Sequence, residues 1–276
     1  GIGNWGMMAH SWGWDWTGSR PPLFSAWSKI RMGWVTPTLI TTDGDYALAQ
    51  AATNNAYYRI NRGYPANEYL LIENRQPAGI ESNLPQGGLV VFHIDDNAPI
   101  NHSRGYPGQT GWPTNGNHYR VAVLQADGYY DLERNYSNWG DSGDVYHAGG
   151  ISALTPTSTP NTDVYQGGIV YDSGVSITGI AASSANMAFP VGMIDDMQIQ
   201  GQSLISSSGG IGGFFPSDAV CDVANLGLYS LNWQVTFDVG WMSATLTSGT
   251  VEHVSSQAMT LWINPGANAL AAGTHV

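Results

Sequence analysis

The sequence predicts a mainly β protein, with a β-rich region that carries one short N-terminal helix, followed by a β-sandwich. Glycine, tyrosine and tryptophan are abundant among the 276 residues, at 35, 14 and 11, and this composition favours strands and tight turns. Short apolar runs alternate with turn-forming pairs such as Asp43-Gly44 and Pro107-Gly108. Apolar residues make up 42% of the chain, which is enough to form a buried core.

The single predicted helix covers residues 22–32. Pro22 suits a first helical turn, and Leu23, Trp27 and Ile30 recur at the spacing of one helical face.

After this helix, short apolar or alternating segments predict strands separated by turns. In the first 193 residues they cover 46–48, 56–60, 69–73, 89–94, 121–125, 169–171, 175–177 and 187–191.

The charge balance excludes several partners. With 21 acidic and 9 basic residues the net charge is −12, and Lys29 is the only lysine. Nucleic acids and anionic membranes need a basic surface, so neither is an expected partner. No apolar run is long enough to predict a membrane span. Cys221 is the only cysteine and is predicted to be a small buried side chain.

A family resemblance covers residues 1–193. The opening turn contains Gly3, Asn4, Trp5, Met7 and Met8, and a segment beginning Ser25-Ala-Trp follows it. Further blocks read LIENRQ at 71–76, FHIDD at 92–96, LQADG at 124–128 and GDSGD at 140–144. In this order and spacing they resemble the part of secreted M6 (immune inhibitor A-like) metalloendopeptidases that follows the zinc-binding helix.

The resemblance implies a secreted, prokaryotic protein. Met8 matches the methionine of the Met turn, which in that family packs beneath the zinc ligands; the alternative is that Met7 and Met8 are ordinary core residues. The family's zinc motif, His-Glu-x-x-His, does not occur in these 276 residues, and no two histidines stand four apart. We therefore assign no catalytic residue and no zinc ligand, and we expect no proteolysis by this chain alone.

Acidic residues in glycine-rich turns predict a calcium site, because hard carboxylate oxygens suit this ion. The M6 family is calcium-dependent, which supports the prediction; the alternative is a solvated acidic turn. The candidate ligands are Asp127, Asp131, Glu133, Asp141 and Asp144.

Four tryptophans lie close together in the opening turn: Trp5, Trp12, Trp14 and Trp16. We expect them to fill the core, since a chain with few charges needs large apolar side chains there. The alternative is a surface on which sugar rings stack.

Residues 194–276 resemble a bacterial Ig-like β-sandwich module, on segments such as LNWQV at 231–235 and ANALAAGT at 267–274. The last strand of such a module would begin at the end of this sequence, so we expect an incomplete sandwich. This favours an alternative function, a structural or adhesive filament subunit that accepts a strand from its neighbour. The expected partner is therefore protein: the N-terminal part of a protease module, or neighbouring subunits.

Overall fold

The computed structural model describes residues 1–99, 105–113, 119–134, 137–193, 197–201, 218–225, 230–252 and 255–271. The chain forms two compact units, Gly1–Met193 and Ile194–Val276. Both are built mainly from strands, as the sequence predicts. No helix among the described residues has the length and apolar character needed to cross a bilayer.

The first unit contains two short helices and eight strands among its described residues. The helices are α1 (Ala26–Arg31) and α2 (Asp131–Arg134). The strands are β1 (Thr38–Ile40), β2 (Gly44–Ala49), β3 (Tyr58–Ile60), β4 (Glu68–Arg75), β5 (Gly88–Asp95), β6 (Val121–Val123), β7 (Val175–Ile177) and β8 (Asn186–Met193).

These strands form two sheets. The larger has the order β1-β3-β4-β5-β6, with β1 parallel to β3 and the other pairs antiparallel. The smaller has the order β2-β8-β7 and is antiparallel throughout.

The central strands β4 and β5 are buried along their whole length. Successive side chains of a strand point to opposite faces, so each strand serves two cores. Leu70 and Ile72 pack in the core shared with the smaller sheet. Tyr69 and Leu71 pack on the other face, in the core that includes Trp5 and Ala26 of the N-terminal segment. Burial on both faces explains the nearly continuous apolar runs of these strands.

Helix α1 is shorter than predicted, because it begins at Ala26 rather than at residue 22. The Ser25 hydroxyl caps it by accepting a hydrogen bond from the Ser28 amide at 3.3 Å. The cap therefore sets the start of the helix, and Pro22 lies before it.

The predicted strand at 169–171 is wrong. This segment follows a 3₁₀ turn at Gln166–Gly168, in which Gly167 and Gly168 have φ values of 67° and 81°. Ile169 has extended backbone, but within 169–171 only Tyr171 forms a β-bridge, with Val164, so no strand ladder develops. The second helix, α2, was not predicted.

A buried ion network joins the C-terminal end of β4 to three neighbouring segments. Arg75 is fully buried and donates to Glu73 at 2.7 Å and to Glu81 Oε2 at 2.7 Å. Arg75 also donates to the Trp5 carbonyl oxygen at 3.0 Å. Glu81 Oε1 in turn accepts from the Leu23 amide at 3.0 Å. One guanidinium thus connects β4, the opening turn, the residues before α1 and the turn at Gly79–Glu81.

In the second unit, the described residues form six strands in two sheets. The strands are β9 (Met197–Gly201), β10 (Asp218–Asn225), β11 (Leu231–Gln234), β12 (Met242–Ala244), β13 (Ser248–Val251) and β14 (Ser255–Ile263). One sheet has the order β12-β14-β10-β9, and the other pairs β11 with β13. Cys221, Val223 and Met259 of the first sheet share a core with Trp233 and Val251 of the second. Cys221 is buried, as predicted.

The substitution Arg75→Met tests the ion network. It leaves the Glu73 and Glu81 carboxylates buried without their cation, so we expect the free energy of unfolding to fall by about 3–5 kcal/mol. Urea denaturation followed by tryptophan fluorescence measures this change. The control Arg31→Met removes an exposed guanidinium at the end of α1 and should cost less than about 1 kcal/mol. Equal losses in the two variants would show that the network contributes little.

Candidate functional site

The opening turn is held rigidly by backbone contacts. The Asn4 amide donates to the Trp139 carbonyl oxygen at 2.6 Å, and the Met7 amide donates to the Leu23 carbonyl oxygen at 3.1 Å. Gly3 has a φ of +44°, and a Cβ at this position would lie 2.2 Å from the Trp139 oxygen. Glycine is therefore required where the turn meets the 139–144 segment.

Trp5 connects this turn to two buried polar groups. Its indole Nε1 donates to Asp144 Oδ2 at 2.7 Å, and its carbonyl oxygen accepts from Arg75. The indole is fully buried and meets Trp14 edge-to-face, with ring centroids 4.8 Å apart. The position of the turn is thus set by the acidic loop on one side and by β4 on the other.

Met8 lies on the wall of a cleft of about 570 Å³ in the first unit. The cleft wall also includes Trp27, Tyr119, Arg120, Asn138 and Trp139. Met8 is 72% exposed, so the alternative that it is an ordinary core residue is wrong. A rigid turn therefore presents an apolar side chain to an open cleft.

His10 follows Met8 but is engaged in other contacts. Its Nδ1 donates to Asn4 Oδ1, and its ring stacks on Trp139 with centroids 4.3 Å apart. Burial lowers the pKa of His10, which favours the neutral ring. These contacts fix the imidazole against the Trp139 ring.

The acidic loops come together as the sequence suggested, although only in part. The Asp127 amide donates to the Gly143 carbonyl oxygen at 3.0 Å, and the Ala126 amide donates to the Asp144 carbonyl oxygen at 3.2 Å. The side-chain amide of Asn138 donates to Asp141 at 2.9 Å and to Asp131 at 3.4 Å. Four of the five predicted ligands therefore lie in two segments that contact each other: Asp127 and Asp131 in one, Asp141 and Asp144 in the other.

Glu133, the fifth predicted ligand, is engaged elsewhere. Its carboxylate accepts from Gln125 Nε2 at 2.6 Å and from the backbone nitrogen of Gly1. Burial raises the pKa of Glu133, and the hydrogen bonds oppose that shift. Glu133 thus has hydrogen-bond partners of its own, different from those of the four aspartates.

The aspartate cluster is electrostatically unfavourable when it is fully ionised. Burial raises the pKa of Asp144 to about 7, against hydrogen bonds from Trp5 and the Asp141 amide. Burial also raises the pKa of Asp127, and the charges of Asp141 and Asp131 add to this shift. Both carboxyls therefore take up protons more readily than exposed aspartates do.

The described residues do not fit a metal ion as they are placed. Within the described ranges, no group of three or more His, Cys, Asp or Glu side chains is arranged to hold one. The aspartate oxygens instead accept from nearby amides, such as that of Gly143 on Asp141 Oδ1 at 2.7 Å. Calcium stays a prediction of the sequence, and the described residues hold no set of ligands for the zinc ion that the M6 resemblance implies.

A buried polar pair lies where β4 begins and β5 ends. A histidine inside the apolar run 89–94 is expected to be a hydrogen-bonded core residue rather than a ligand, and His93 is indeed fully buried, whereas sequence reasoning missed Glu68. Glu68 is buried and accepts from the Tyr165 and Gln166 amides at 2.8 and 3.1 Å. His93 Nε2 lies 2.9 Å from Glu68 Oε1, and the His93 ring stacks on Tyr165 with centroids 3.8 Å apart. The signal in the sequence that could have pointed to this pair was His93, a histidine within an otherwise apolar strand. The pair fastens the 165–168 turn to the sheet.

Comparison of the chain with protein-family profiles, curated proteins and solved structures finds no match. The M6 and Ig-like resemblances therefore stay predictions.

Asp144→Asn tests the buried carboxyl. The pKa of Asp144 is raised from 3.8 to about 7 in the folded protein. Between these values the folded state binds the extra proton, so the stability of the wild type falls as pH rises through 7. We expect the variant to gain about 2–4 kcal/mol relative to the wild type between pH 4.5 and 8.5. Urea denaturation in EGTA at both pH values measures the difference.

The control Asp45→Asn changes an exposed carboxyl on β2 and should show no such pH-dependent gain. A constant difference between Asp144→Asn and wild type would contradict the buried-carboxyl explanation.

Adding calcium chloride at pH 8.5 tests the calcium prediction in the same denaturation assay. A bound ion would stabilise the wild type but not Asp141→Asn, whereas Glu133→Gln should behave like the wild type.

Proposed function

We propose that residues 1–193 are the part of an M6-type zinc endopeptidase module that follows the zinc helix, and that this chain is not proteolytic by itself. The single observation that carries the proposal is Met8, which is 72% exposed on a cleft wall although its turn is rigidly held. In the family that the sequence resembles, the corresponding methionine packs beneath the zinc ligands.

The surroundings of Met8 support this proposal physically. Gly3 and Trp5 are tied to the acidic loop and to β4, so the turn does not need a ligand to hold its shape. The cleft wall offers aromatic side chains, Trp27 and Trp139, against which an amphipathic helix can pack. On this proposal a preceding segment supplies the zinc ligands and the general base, and Met8 supplies the apolar side chain beneath them. We also propose that the protein is secreted and prokaryotic, as the same resemblance implies.

The proposal is tested by joining the chain to a segment that carries His-Glu-x-x-His. We expect the chain alone, in zinc chloride, to hydrolyse casein at the rate of buffer. A fusion with the segment encoded immediately upstream of Gly1 should hydrolyse casein, and 1,10-phenanthroline should abolish this activity. Met8→Asp should lower it at least tenfold, because a charge replaces the apolar side chain.

Met32→Asp is the matched control, since Met32 is also exposed, at 41%, but lies at the end of α1. It should leave the fusion as active as the parent. Zinc-dependent cleavage by the chain alone would contradict the proposal, as would an upstream reading frame without the zinc motif.

A second candidate function, a filament or adhesive subunit, is favoured by one feature of the second unit. Among the residues that the structure describes, strand β9 lies at the edge of its sheet, and Met197 and Ile199 are 45% and 52% exposed. Ile199 is paired directly with Val223, and Met197 with Asn225, so both point to the face that carries the core. An open core face beside a strand edge can accept a strand from another molecule.

Ile199→Lys tests this second candidate. If subunits join by strand donation at this face, light scattering of the purified chain should show concentration-dependent assembly, and electron microscopy should show filaments. The lysine would place a charge in the receiving groove, so assembly should be lost.

Gln200→Lys provides the control on the same strand, because neighbouring residues of a strand face opposite ways. It should assemble like the parent. A wild-type chain that stays monomeric across the concentration range would rule out the filament role.

A further inference from the structure

The opening turn divides its tryptophans into two pairs. Trp5 is fully buried, as the sequence predicts, and Trp14 is half-buried against it. Trp12 and Trp16 do not follow the prediction, because they are 57% and 52% exposed. Two large apolar side chains are thus exposed on one short loop, where they offer apolar area to a ligand.

The loop that carries them is well ordered by its own hydrogen bonds. The Gly18 amide donates to the Trp12 carbonyl oxygen at 2.9 Å. Asp15 accepts from the amide and hydroxyl of Thr17 at 3.1 and 2.8 Å, and from Asn83 at 3.0 Å. Gly13 lies so close to Arg20 that a Cβ would meet its carbonyl oxygen at 2.0 Å. The loop therefore holds both indoles outward and loses little entropy on binding.

Trp16 also forms one end of an aromatic row. Its φ is +59°, a left-handed backbone that bulky residues seldom adopt. Its ring meets His10 edge-to-face at 5.2 Å, and His10 stacks on Trp139 at 4.3 Å. The row orients the Trp16 indole and continues its apolar surface toward the rest of the opening turn.

The groups around the two indoles define the class of ligand. The hydroxyls of Thr17 and Ser19 and the amide of Asn83 are exposed near them, and the carboxylate of Asp15 is half-buried. Asp15 and Arg20 balance in charge, so the loop attracts neither strong anions nor strong cations. A sugar ring has an apolar face of C–H groups that suits an indole and a rim of hydroxyls that suits these polar groups. We propose that Trp12 and Trp16 bind an uncharged polysaccharide.

A membrane is the less favoured ligand for this loop. Hydrogen bonds from Thr17 lower the pKa of Asp15, so a carboxylate stands between Trp14 and Trp16. Burying that charge in the bilayer is costly, and the net charge of −12 repels anionic headgroups.

Affinity electrophoresis of the whole chain tests the proposal, with hydroxyethylcellulose, soluble starch and laminarin in separate native gels. Pull-down on insoluble cellulose and chitin extends it to water-insoluble polysaccharides. We expect retention by at least one of these five. Trp12→Ala and Trp16→Ala should each weaken that binding at least tenfold, and Trp16→Phe, which keeps a ring, should weaken it less.

Trp34→Ala is the matched control, because Trp34 is also exposed, at 58%, but lies after α1, outside the loop that carries Trp12 and Trp16. Its ring packs edge-to-face on Phe24. It should bind like the parent, and near-ultraviolet circular dichroism should show that all variants are folded. No retention by any of the five polysaccharides would overturn the proposal. Equal loss in Trp34→Ala, or binding to phosphatidylcholine vesicles alone, would do the same. None of these outcomes depends on the proposed peptidase ancestry, since no assay involves zinc or cleavage.

Discussion

The first unit depends on the buried guanidinium of Arg75. It lies on the face of β4 that packs against the N-terminal segment, where the Glu73 and Glu81 carboxylates and the Trp5 carbonyl oxygen accept its hydrogen bonds. A charge without partners at this depth would be very costly. The opening turn must therefore stay in contact with β4, and this requirement places Met8 on the cleft wall.

Trp5 transmits this constraint to the acidic loop. Its indole donates to Asp144, whose pKa burial raises to about 7. Asp127 and Asp141 lie nearby and oppose ionisation of that carboxyl. The loop is therefore best accommodated when some of its carboxyls are protonated or neutralised. Because the pKa of Asp144 is raised in the folded state, the stability of the first unit decreases as pH rises toward 7.

The two units differ in how completely their sheets are covered. In the first, both faces of β4 and β5 are buried, one by the smaller sheet and one by the N-terminal segment. In the second, the core face of β9 is half exposed at Met197 and Ile199. Apolar area of this kind is a source of binding free energy when a partner covers it. The proposed functions thus rest on surfaces that differ in chemistry: an apolar cleft, an open strand edge and two ordered indoles.

The sequence by itself determined the β class and most strands of the first unit, because the alternation and length of apolar runs are local properties. It also indicated that the aspartates of the GDSGD segment share a neighbourhood with Asp127. Only the tertiary structure decided which polar residues are buried. Arg75, Glu73 and Glu81 become a network because β4 and the turn at Gly79–Glu81 meet the opening turn in space. Likewise, the separation of Trp12 and Trp16 from Trp5 and Trp14 follows from long-range packing, since all four have the same local sequence character.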